Sequence, residues 1–413
     1  MVDEVSLAKV RHFILEKQGL RTKNPDSNIL DIVKRIHNVQ IDTISVVARS
    51  QDLILYNRLK NYKEKDIWDL QKKKKVFEYF SHALCLMPME EYPLYTWVIE
   101  YRRNNPGNWT KNWLKDNQKI VDKVYDYIKN NGVTCSKDFK KSTIVRREGW
   151  GTIKGENLAL KHLFHSGKLL ISYRKGFQRY YDLTERVLPP RISSESIDRE
   201  NLPQHLVKII FSALGIASSK EFQLYLGKVF PRILWEGKKQ NIESFLNKCV
   251  KEGIIEQLSI TGLKDNYYIL EKDYEKLYNQ TIEVDQYLPV KLLSPFDNIT
   301  RDRYFPKNIW NFDYKFEAYI PKAKREFGFF CLPSLDNYNL IGFIDAKVHR
   351  KDKKLELISI YINQEVDGNL LYRLAKGLYF FAQFHNCLEI IVENIYPKKL
   401  KENLCEELNQ FLN

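Results

Sequence analysis

Gln40 and Asp42 are the two residues whose types and spacing most directly suggest chemistry. The segment Val39–Asp42 alternates apolar and polar residues, which predicts a short extended segment. On an extended backbone, residues two apart point to the same side, so the Gln40 amide and the Asp42 carboxylate would lie side by side. The apolar residues Val39 and Ile41 would anchor the opposite face. A carboxylate can stabilise developing positive charge and accept a proton from water, and an amide can hold that water through one donor and one acceptor.

A purely structural role fits the same two residues. From Thr43 onward the apolar residues predict a helix, whose N-terminus Asp42 would cap while Gln40 remains solvated. Spacing alone leaves both interpretations open. Arg49 and Arg58 fall on this predicted helix, where they would be well placed to meet phosphate groups.

The composition favours a polyanionic partner and indicates no cofactor. The chain has 413 residues, with 66 Lys and Arg against 52 Asp and Glu, and therefore a formal net charge of +14. Such an excess is typical of nucleic-acid-binding proteins. The 6 cysteines and 8 histidines show no zinc-binding spacing, and the chain carries no glycine-rich phosphate-binding motif. We therefore expect no metal, no nucleotide cofactor and no other cofactor.

The N-terminus and the hydropathy pattern bear on where the protein would act. The first five residues are acidic rather than basic, which predicts no signal peptide. The apolar runs fall short of the roughly 20 residues that a membrane span needs. We therefore expect a cytoplasmic protein without a membrane partner.

Two stretches in the middle of the chain repeat one pattern. In each, a predicted helix ends at a glycine, Gly167 or Gly253, and a predicted two-stranded hairpin follows. A helix that feeds a hairpin is the second half of a winged helix-turn-helix unit, and a further predicted helix precedes each copy. The first hairpin has a basic turn with Arg174, Lys175 and Arg179, which predicts a DNA-binding wing.

Beyond Pro289 the sequence changes from helical to strand-like spacing. The strands predicted over 316–320, 327–332, 340–345 and 355–362 are spaced like a meander, and a helix, a short strand and a closing helix follow. The sequence thus predicts an α+β protein with tandem winged helix-turn-helix units and a small β-domain. On a strongly basic chain, this combination indicates a double-stranded nucleic acid as the partner.

Five separated blocks of the sequence resemble the bacterial winged-helix DNA glycosylases of the AlkZ/YcaQ type. They are Ile36–Arg49, Ser81–Pro88, Gly176–Leu183, Leu292–Asn298 and Phe316–Arg325. Their joint occurrence, in the order in which the family has them, makes the resemblance specific. One departure lies at Thr300–Arg303, where the family has an apolar residue and Trp before Asp-Arg.

The resemblance implies a monofunctional DNA glycosylase of base-excision repair. Such an enzyme releases N7-alkylated guanine from double-stranded DNA and unhooks interstrand crosslinks. The family's catalytic motif is Gln, an apolar residue, then Gln or Asp, and it reads Gln40-Ile41-Asp42 here, as in the YcaQ-like branch. Asp42 would then activate water and stabilise positive charge on the sugar, and Gln40 would position the water. We expect the protein to be a monomer.

The resemblance also implies a division of the chain. Three winged-helix units, with the catalytic motif in the first, would be followed by a small β-barrel-like domain and C-terminal helices. We place the boundaries at 1–105, 106–192, 193–284 and 285–413. Together they would form a concave, basic cradle for DNA.

Further residues are expected near the DNA. His82, in the second block, would be a neighbour of the active site, although a hydrogen-bonded structural role also fits it. A basic hairpin tip is expected to reach a DNA groove, with a solvated turn as the alternative. This tip consists of Tyr319, Pro321, Lys322, Lys324 and Arg325.

Two non-enzymatic interpretations remain open at this stage. A winged-helix regulator would prefer one DNA sequence, whereas a glycosylase would bind many sequences and leave abasic sites. An RNA-directed binding protein is the other alternative, because charge alone does not separate DNA from RNA.

Overall fold

The computed structural model describes residues 4–21, 28–139, 144–147, 151–235, 241–366 and 369–412. In these ranges, helices alternate with small, mainly antiparallel sheets as far as residue 279, and a larger sheet with covering helices follows. No helix in these ranges is long and apolar enough to cross a membrane.

The N-terminal part carries the predicted extended segment. Its elements are β1 (Glu4–Val5), α1 (Leu7–Lys17), α2 (Ile29–Ile36), β2 (Val39–Gln40), α3 (Ser50–Tyr56), α4 (Asp66–Lys72), β3 (Val76–Phe80), β4 (Leu84–Pro88) and α5 (Tyr92–Asn104). The Asn28 side chain caps α2 by accepting a hydrogen bond from the Asp31 backbone N–H, and α2 buries one apolar face. Strands pair in the order β2-β4-β3.

The helix predicted from Thr43 is wrong for its first seven residues, because α3 begins only at Ser50. Residues 43–49 form an irregular connection instead. The Val46 carbonyl accepts a hydrogen bond from the Val348 backbone N–H, and Val47 is fully buried in the core of the C-terminal sheet. Long-range packing of β-branched residues, which favour extended backbone, therefore overrides the helical spacing.

The second part contains the first predicted hairpin. Its elements are α6 (Asn108–Asn131), β5 (Thr134–Cys135), β6 (Ile144–Arg147), β7 (Gly151–Lys154), α7 (Gly155–His165), β8 (Leu169–Lys175), β9 (Gln178–Leu183) and α8 (Thr184–Val187). Gly167 ends the turn after α7 with φ 74°, a left-handed conformation that suits glycine. Strands pair in the order β5-β9-β8.

The third part contains the second copy of the repeat. Its elements are α9 (Leu202–Leu214), β10 (Ile216–Ser218), α10 (Ser219–Leu226), α11 (Phe230–Trp235), α12 (Ile242–Lys251), β11 (Ile255–Ile260), β12 (Tyr267–Leu270) and α13 (Glu271–Asn279). Both predicted helix–glycine–hairpin copies are confirmed. Strands pair in the order β1-β11-β12-β10, so the first strand of the chain joins this sheet, parallel to β11.

The three small sheets of three or four strands share one arrangement. A short strand that follows a helix pairs with the second strand of the later hairpin. Between the short strand and the hairpin lie helices in the first and third sheets, whereas the β6–β7 hairpin precedes α7 in the second. The winged-helix assignment and its boundaries stay predictions. The position of β1 ties residues 4–5 to the sheet of the third predicted unit.

The C-terminal part has the largest sheet. Its elements are β13 (Lys291–Leu292), α14 (Tyr304–Trp310), β14 (Cys331–Asp336), β15 (Asn339–His349), β16 (Lys354–Ile362), α15 (Leu370–Phe384), β17 (Glu389–Val392), β18 (Ile395–Tyr396) and α16 (Lys401–Leu412). Strands pair in the order β13-β14-β15-β16-β17, with β18 also paired to β16. The strands predicted near 340, 355 and 388, the helix between the last two of them and the closing helix are confirmed.

The barrel-like closure expected for this part is wrong. Among the described strands, β13 and β17 stand at opposite edges of the sheet and do not pair with each other. Because β16 and β17 are parallel, their connection needs a crossover, and α15 supplies it. Helices α15 and α16 pack their apolar residues into the same core as the sheet, so the apolar strand residues are covered without closure.

The strand predicted over 316–320 is also wrong, because this stretch forms a turn. Glu317 is 3% exposed, and its Oε2 accepts hydrogen bonds from the backbone N–H groups of Glu326 and Phe327, both at 2.9 Å. A buried carboxylate that binds these backbone groups holds residues 317–328 as a closed loop and not as a ladder strand.

Candidate active site

Gln40 and Asp42 lie on the same side of an extended segment, as their spacing predicts. Gln40 ends β2 and pairs with Cys85 of β4. Val39 and Ile41 are 0% and 8% exposed, whereas the two polar residues are half-buried, so the polar side faces out of the core. The amide and the carboxylate are therefore both reachable from solvent.

Asp42 does not cap a helix. Its Oδ1 accepts a hydrogen bond from the backbone N–H of Ile44 at 2.7 Å, which bends the chain immediately after β2. Helix α3 begins eight residues later, with Arg49 at its N-cap and no side-chain capping bond. The helix-cap interpretation of Asp42 is therefore wrong, and its second carboxylate oxygen does not serve that turn.

His82 contacts Gln40 directly. The His82 Nε2 lies 3.0 Å from the Gln40 Oε1, which as an amide oxygen accepts only. Nε2 therefore carries the ring hydrogen and donates this hydrogen bond to Gln40. Arg301 Nη1 lies 3.0 Å from the other ring nitrogen, Nδ1, and donates to its lone pair. Burial and the Arg301 charge hold the pKa of His82 well below its ordinary range, so the imidazole is neutral.

Arg301 was not singled out by the sequence analysis, although it lies within the one departure from the family pattern. Its Nη1 also donates to Asn38 Oδ1 at 3.2 Å, and its guanidinium stacks 4.2 Å from the Tyr225 ring. The Asn38 amide in turn donates to the Tyr225 hydroxyl at 2.8 Å. These contacts brace the entry to β2 and fix the His82 tautomer, which in turn orients the Gln40 amide.

Tyr319 lies near Asp42. It is 77% exposed, and desolvation together with the negative charge of Asp42 raises the pKa of its hydroxyl. Pro321, Lys322 and Lys324 are exposed on a short 3-10 turn beside it. Arg325 instead points inward, donating from Nε to the Ile320 carbonyl at 2.8 Å. The structure therefore shows an exposed basic turn, not a hairpin tip.

The expected phosphate contact by Arg58 is wrong. Arg58 lies just after α3, and its side chain is 0% exposed. It forms a bidentate ion pair with Asp297, with nitrogen–oxygen distances of 2.6 and 2.9 Å, and also donates to the Gln18 carbonyl at 2.7 Å. The Asp297 carboxylate neutralises the guanidinium charge inside the protein, so Arg58 is not available to phosphate. The two residues lie 239 positions apart in the sequence.

Arg174 lies on the expected DNA-binding wing, but its side chain is buried and not available to DNA. Its side chain is 3% exposed and pairs with the buried Glu78 through two bonds of 2.5 and 2.7 Å. Its guanidinium and that of Arg49 lie 4.5 and 4.3 Å from the Phe177 ring. The turn of the β8–β9 hairpin is therefore docked on the first part of the chain. Lys175 remains exposed.

Lys175 is the exposed wing cation, and Arg179 can meet DNA only in part, since its side chain is 36% exposed but its Nε lies 3.3 Å from Glu78 Oε1. Replacing Lys175 and Arg179 together by Ala should reduce the slope of log affinity against log salt by about one to two, because each lost phosphate contact removes about one released counterion and Arg179 is already paired with Glu78. Binding of one undamaged duplex at several salt concentrations measures this. An unchanged slope would remove the wing from the interface. Arg174→Ala should instead lower the melting temperature.

Comparisons with known proteins identify the family and agree with the fold. A family described as DNA glycosylase AlkZ-like matches residues 33–364, which include Gln40, Asp42, His82 and Arg301. The solved structure of the Streptomyces sahachiroi DNA glycosylase AlkZ matches with a TM-score of 0.64 at 14% identity, covering 95% of this chain and 100% of that chain. At this identity the likeness shows a shared fold.

The protein is therefore an enzyme of the DNA glycosylase class. It belongs to the AlkZ-like DNA glycosylase family. The predicted resemblance and the predicted enzyme class are confirmed, and the two non-enzymatic interpretations are set aside.

Proposed function

We propose that the protein hydrolyses the N-glycosidic bond of N7-alkylated guanine in double-stranded DNA, including guanines joined in interstrand crosslinks, as a step of base-excision repair. The observation that supports this most directly is the outward-facing Gln40 and Asp42 pair beside a neutral His82. The Gln-x-Asp motif belongs to the same proposal. So do three winged-helix units that hold the DNA, and a monomeric protein acting at the nucleoid.

The neutral state of His82 fits a leaving group that is already charged. An N7-alkylated guanine is cationic, so its C1′–N9 bond breaks with the electron pair passing to the base, without prior protonation. His82 is held deprotonated at Nδ1 by Arg301 and is committed at Nε2 to Gln40, so it is a poor general acid at neutral pH. A neutral lesion such as uracil would need such an acid.

Asp42 and Gln40 would act on the sugar side of the bond. As the base departs, the sugar becomes oxocarbenium-like, and a carboxylate beneath it stabilises that charge. A water molecule, held by the Gln40 amide, forms the new bond to C1′ and passes its proton to the Asp42 carboxylate. Because Asp42 Oδ1 is engaged by Ile44, Oδ2 is the oxygen we assign to this proton.

A panel of matched duplexes tests the proposal. Each carries one lesion: N7-methylguanine, a nitrogen-mustard guanine–guanine crosslink, uracil or 8-oxoguanine. Incubation followed by alkaline cleavage should show strand breaks at the first and release of one strand from the second, with little product from the two neutral lesions. Robust uracil release with no action on N7-methylguanine would contradict the proposed substrate and leave the family assignment intact.

Arg301 is a positioning residue in this proposal, since it reaches Gln40 only through His82. Arg301→Ala should lower the single-turnover rate about tenfold, the effect of one lost hydrogen bond to a charged group, with little change in DNA affinity. It should also move any acid-side fall in rate to a higher pH than in the wild type, although burial, the larger cause of the low His82 pKa, remains. Without Arg301 the pKa of His82 rises, and a protonated imidazole opposes positive charge on the sugar.

The pH profile separates this role from general stabilisation. The wild-type rate should fall only at lower pH, and Arg301→Lys, which keeps the positive charge, should restore most of the wild-type profile. Equal rate losses at every pH in both variants would show that Arg301 only supports packing.

A further inference from the structure

Gln51 and Asp52, the second and third residues of α3, are buried polar residues that the proposed excision chemistry does not use. Gln51 is 0% exposed and Asp52 is 1% exposed. A buried polar side chain is costly unless its hydrogen bonds are made, so the partners of these two residues indicate what they hold in place.

The Gln51 amide reaches the catalytic segment directly. The backbone N–H of Ile41 still donates to the Leu84 carbonyl of β4 at 2.9 Å, and the chain then leaves the sheet. The next backbone N–H, that of Asp42, donates to Gln51 Oε1 at 3.4 Å. Gln51 thus takes over from the sheet as the partner of the backbone that carries the Asp42 carboxylate.

Asp52 and Tyr62 hold the Gln51 amide on its other side. Gln51 Nε2 donates to Asp52 Oδ2 at 3.1 Å, and the Tyr62 hydroxyl donates to Asp52 Oδ1 at 2.8 Å. The backbone N–H of Asp42 requires an oxygen, and the Asp52 carboxylate requires an N–H. Both partners therefore demand the same orientation of the Gln51 amide, and a flipped amide would lose both bonds.

The network stands on a fixed base. The Ser50 Oγ lies 2.9 Å from the Ser294 Oγ, and the Asn57 amide donates to the Leu292 carbonyl at 2.7 Å, so both ends of α3 are tied to the C-terminal part. Tyr62 is 6% exposed, so burial holds its ring as well. A contact from this base gives the catalytic segment a defined position.

Asp52 keeps this role whether or not its carboxyl group is ionised. Burial raises the pKa of Asp52 to about 7, assisted by the charge of Glu64 and opposed by Tyr62, Arg49 and Gln51. A neutral carboxyl group retains one acceptor oxygen for the Gln51 amide, and the Tyr62 hydroxyl can accept the carboxyl O–H in place of donating. The orientation of Gln51 is therefore set by an acceptor oxygen and not by the charge.

We propose that Gln51 is a positioning residue for Asp42, that Asp52 holds it in the required orientation, and that this contact fixes where the Asp42 carboxylate meets the sugar. The inference rests on the proposed function, in which Asp42 stabilises the charged sugar. It adds two residues that act on the reaction only through Asp42. Because misplacing a reacting group slows the chemical step, their loss should appear in the rate and not in DNA affinity.

Single-turnover excision of N7-methylguanine tests this, together with the hydrogen-exchange rate of the Asp42 backbone N–H measured by NMR. Gln51→Met keeps the volume of the side chain and removes the acceptor. It should lower the excision rate about three- to tenfold, the effect of one neutral hydrogen bond. DNA affinity should stay unchanged, and the Asp42 N–H should exchange faster than in the wild type.

Two substitutions of Asp52 and one matched control complete the set. Asp52→Leu removes the acceptor for Gln51 and should act like Gln51→Met. Asp52→Asn keeps an acceptor oxygen and should stay near wild type in both measurements. Gln71→Met is the control, because Gln71 is 1% exposed and its side chain has no hydrogen-bond partner among the described residues. It should change neither the rate nor the exchange at Asp42.

Each result decides the assignment. Slower excision and faster Asp42 exchange in Gln51→Met, with wild-type behaviour in Asp52→Asn, support it. A wild-type rate and wild-type exchange in Gln51→Met overturn it, as does an equal loss in Gln71→Met. Equal losses in Asp52→Asn and Asp52→Leu overturn the role of Asp52. Absence of excision by the wild type would instead contradict the proposed function, and the exchange rates would still decide whether Gln51 holds Asp42.

Discussion

Asp42→Asn should lower the single-turnover rate of N7-methylguanine excision by about 10²–10³, the usual effect of losing one charge that stabilises a transition state. The substitution is well suited to isolate the charge. The Asn side chain keeps an oxygen that can accept from the Ile44 N–H, as Asp42 Oδ1 does at 2.7 Å, so the bend after β2 is preserved. What is lost is the negative charge facing the oxocarbenium-like sugar and the acceptor for the water proton.

The size of the effect distinguishes the two members of the pair. Gln40→Ala should lower the excision rate less than Asp42→Asn does, because water can still enter without an amide to hold it. Asp69→Asn on the exposed face of α4 changes the chain's charge by the same amount and should leave the rate unchanged. DNA affinity and melting temperature should stay near wild type in all three variants. Full excision activity in Asp42→Asn would remove Asp42 from the mechanism.

Local patterns correctly predicted the extended backbone around Gln40 and the two hairpins, because short-range physics determines both. The alternation over Val39–Asp42 is a property of four consecutive residues, and burial of Val39 and Ile41 is enough to turn Gln40 and Asp42 outward. The turns at Gly167 and Gly253 likewise need only a residue that tolerates a positive φ. For these two features, the residues next to one another in the sequence are enough to determine the local backbone conformation.

The charged residues show where local reasoning fails. Arg58 and Arg174 were expected at phosphates because a cation on a predicted surface element is usually exposed. Their partners, Asp297 and Glu78, lie 239 and 96 residues away along the chain, beyond any spacing rule. Arg301 was missed for the same reason, since its contact with His82 spans 219 residues. Only the folded chain shows which cations are already paired.

The helix predicted from Thr43 and the barrel-like sheet were wrong because one contact between distant parts of the chain was not foreseeable. The connection after Asp42 binds the C-terminal sheet through the Val46 carbonyl and buries Val47 there. That docking holds the segment extended. It also gives the sheet an additional covering, together with α15 and α16, which makes closure into a barrel unnecessary.

Arg58→Ala should lower the free energy of unfolding by about 3–5 kcal/mol, the largest stability effect we expect of a single substitution in this chain. The side chains of Arg58 and Asp297 are both 0% exposed, so removing the guanidinium leaves a buried carboxylate without its cation. The Arg58 bonds to the Gln18 and Ile54 carbonyls at 2.7 and 2.9 Å would be lost as well. Urea unfolding followed by circular dichroism measures the change.

A double substitution shows how much of this loss of unfolding free energy comes from the Asp297 carboxylate left buried without a cation. Arg58→Met combined with Asp297→Leu removes both charges and keeps apolar volume, so it should recover a large part of the stability lost in Arg58→Ala. Lys34→Ala provides the exposed comparison. Its pair with Glu90 is 41% and 55% exposed, and the loss should be within about 1 kcal/mol. Equal losses in Lys34→Ala and Arg58→Ala would show that the buried pair is not a stability determinant.

The stretch that contains Asp297 also forms three hydrogen bonds to residues around the candidate catalytic pair. Ser294 Oγ lies 2.9 Å from Ser50 Oγ at the start of α3, and Asn298 donates to the Ile36 carbonyl at 3.0 Å just before β2. Arg301, three residues further on, holds His82. We therefore expect Asn298→Ala, which removes the bond to the Ile36 carbonyl and leaves the Arg58–Asp297 pair intact, to reduce the excision rate at temperatures where the protein remains folded. Such a loss without unfolding would show that this stretch aligns β2, α3 and His82 around the reacting sugar.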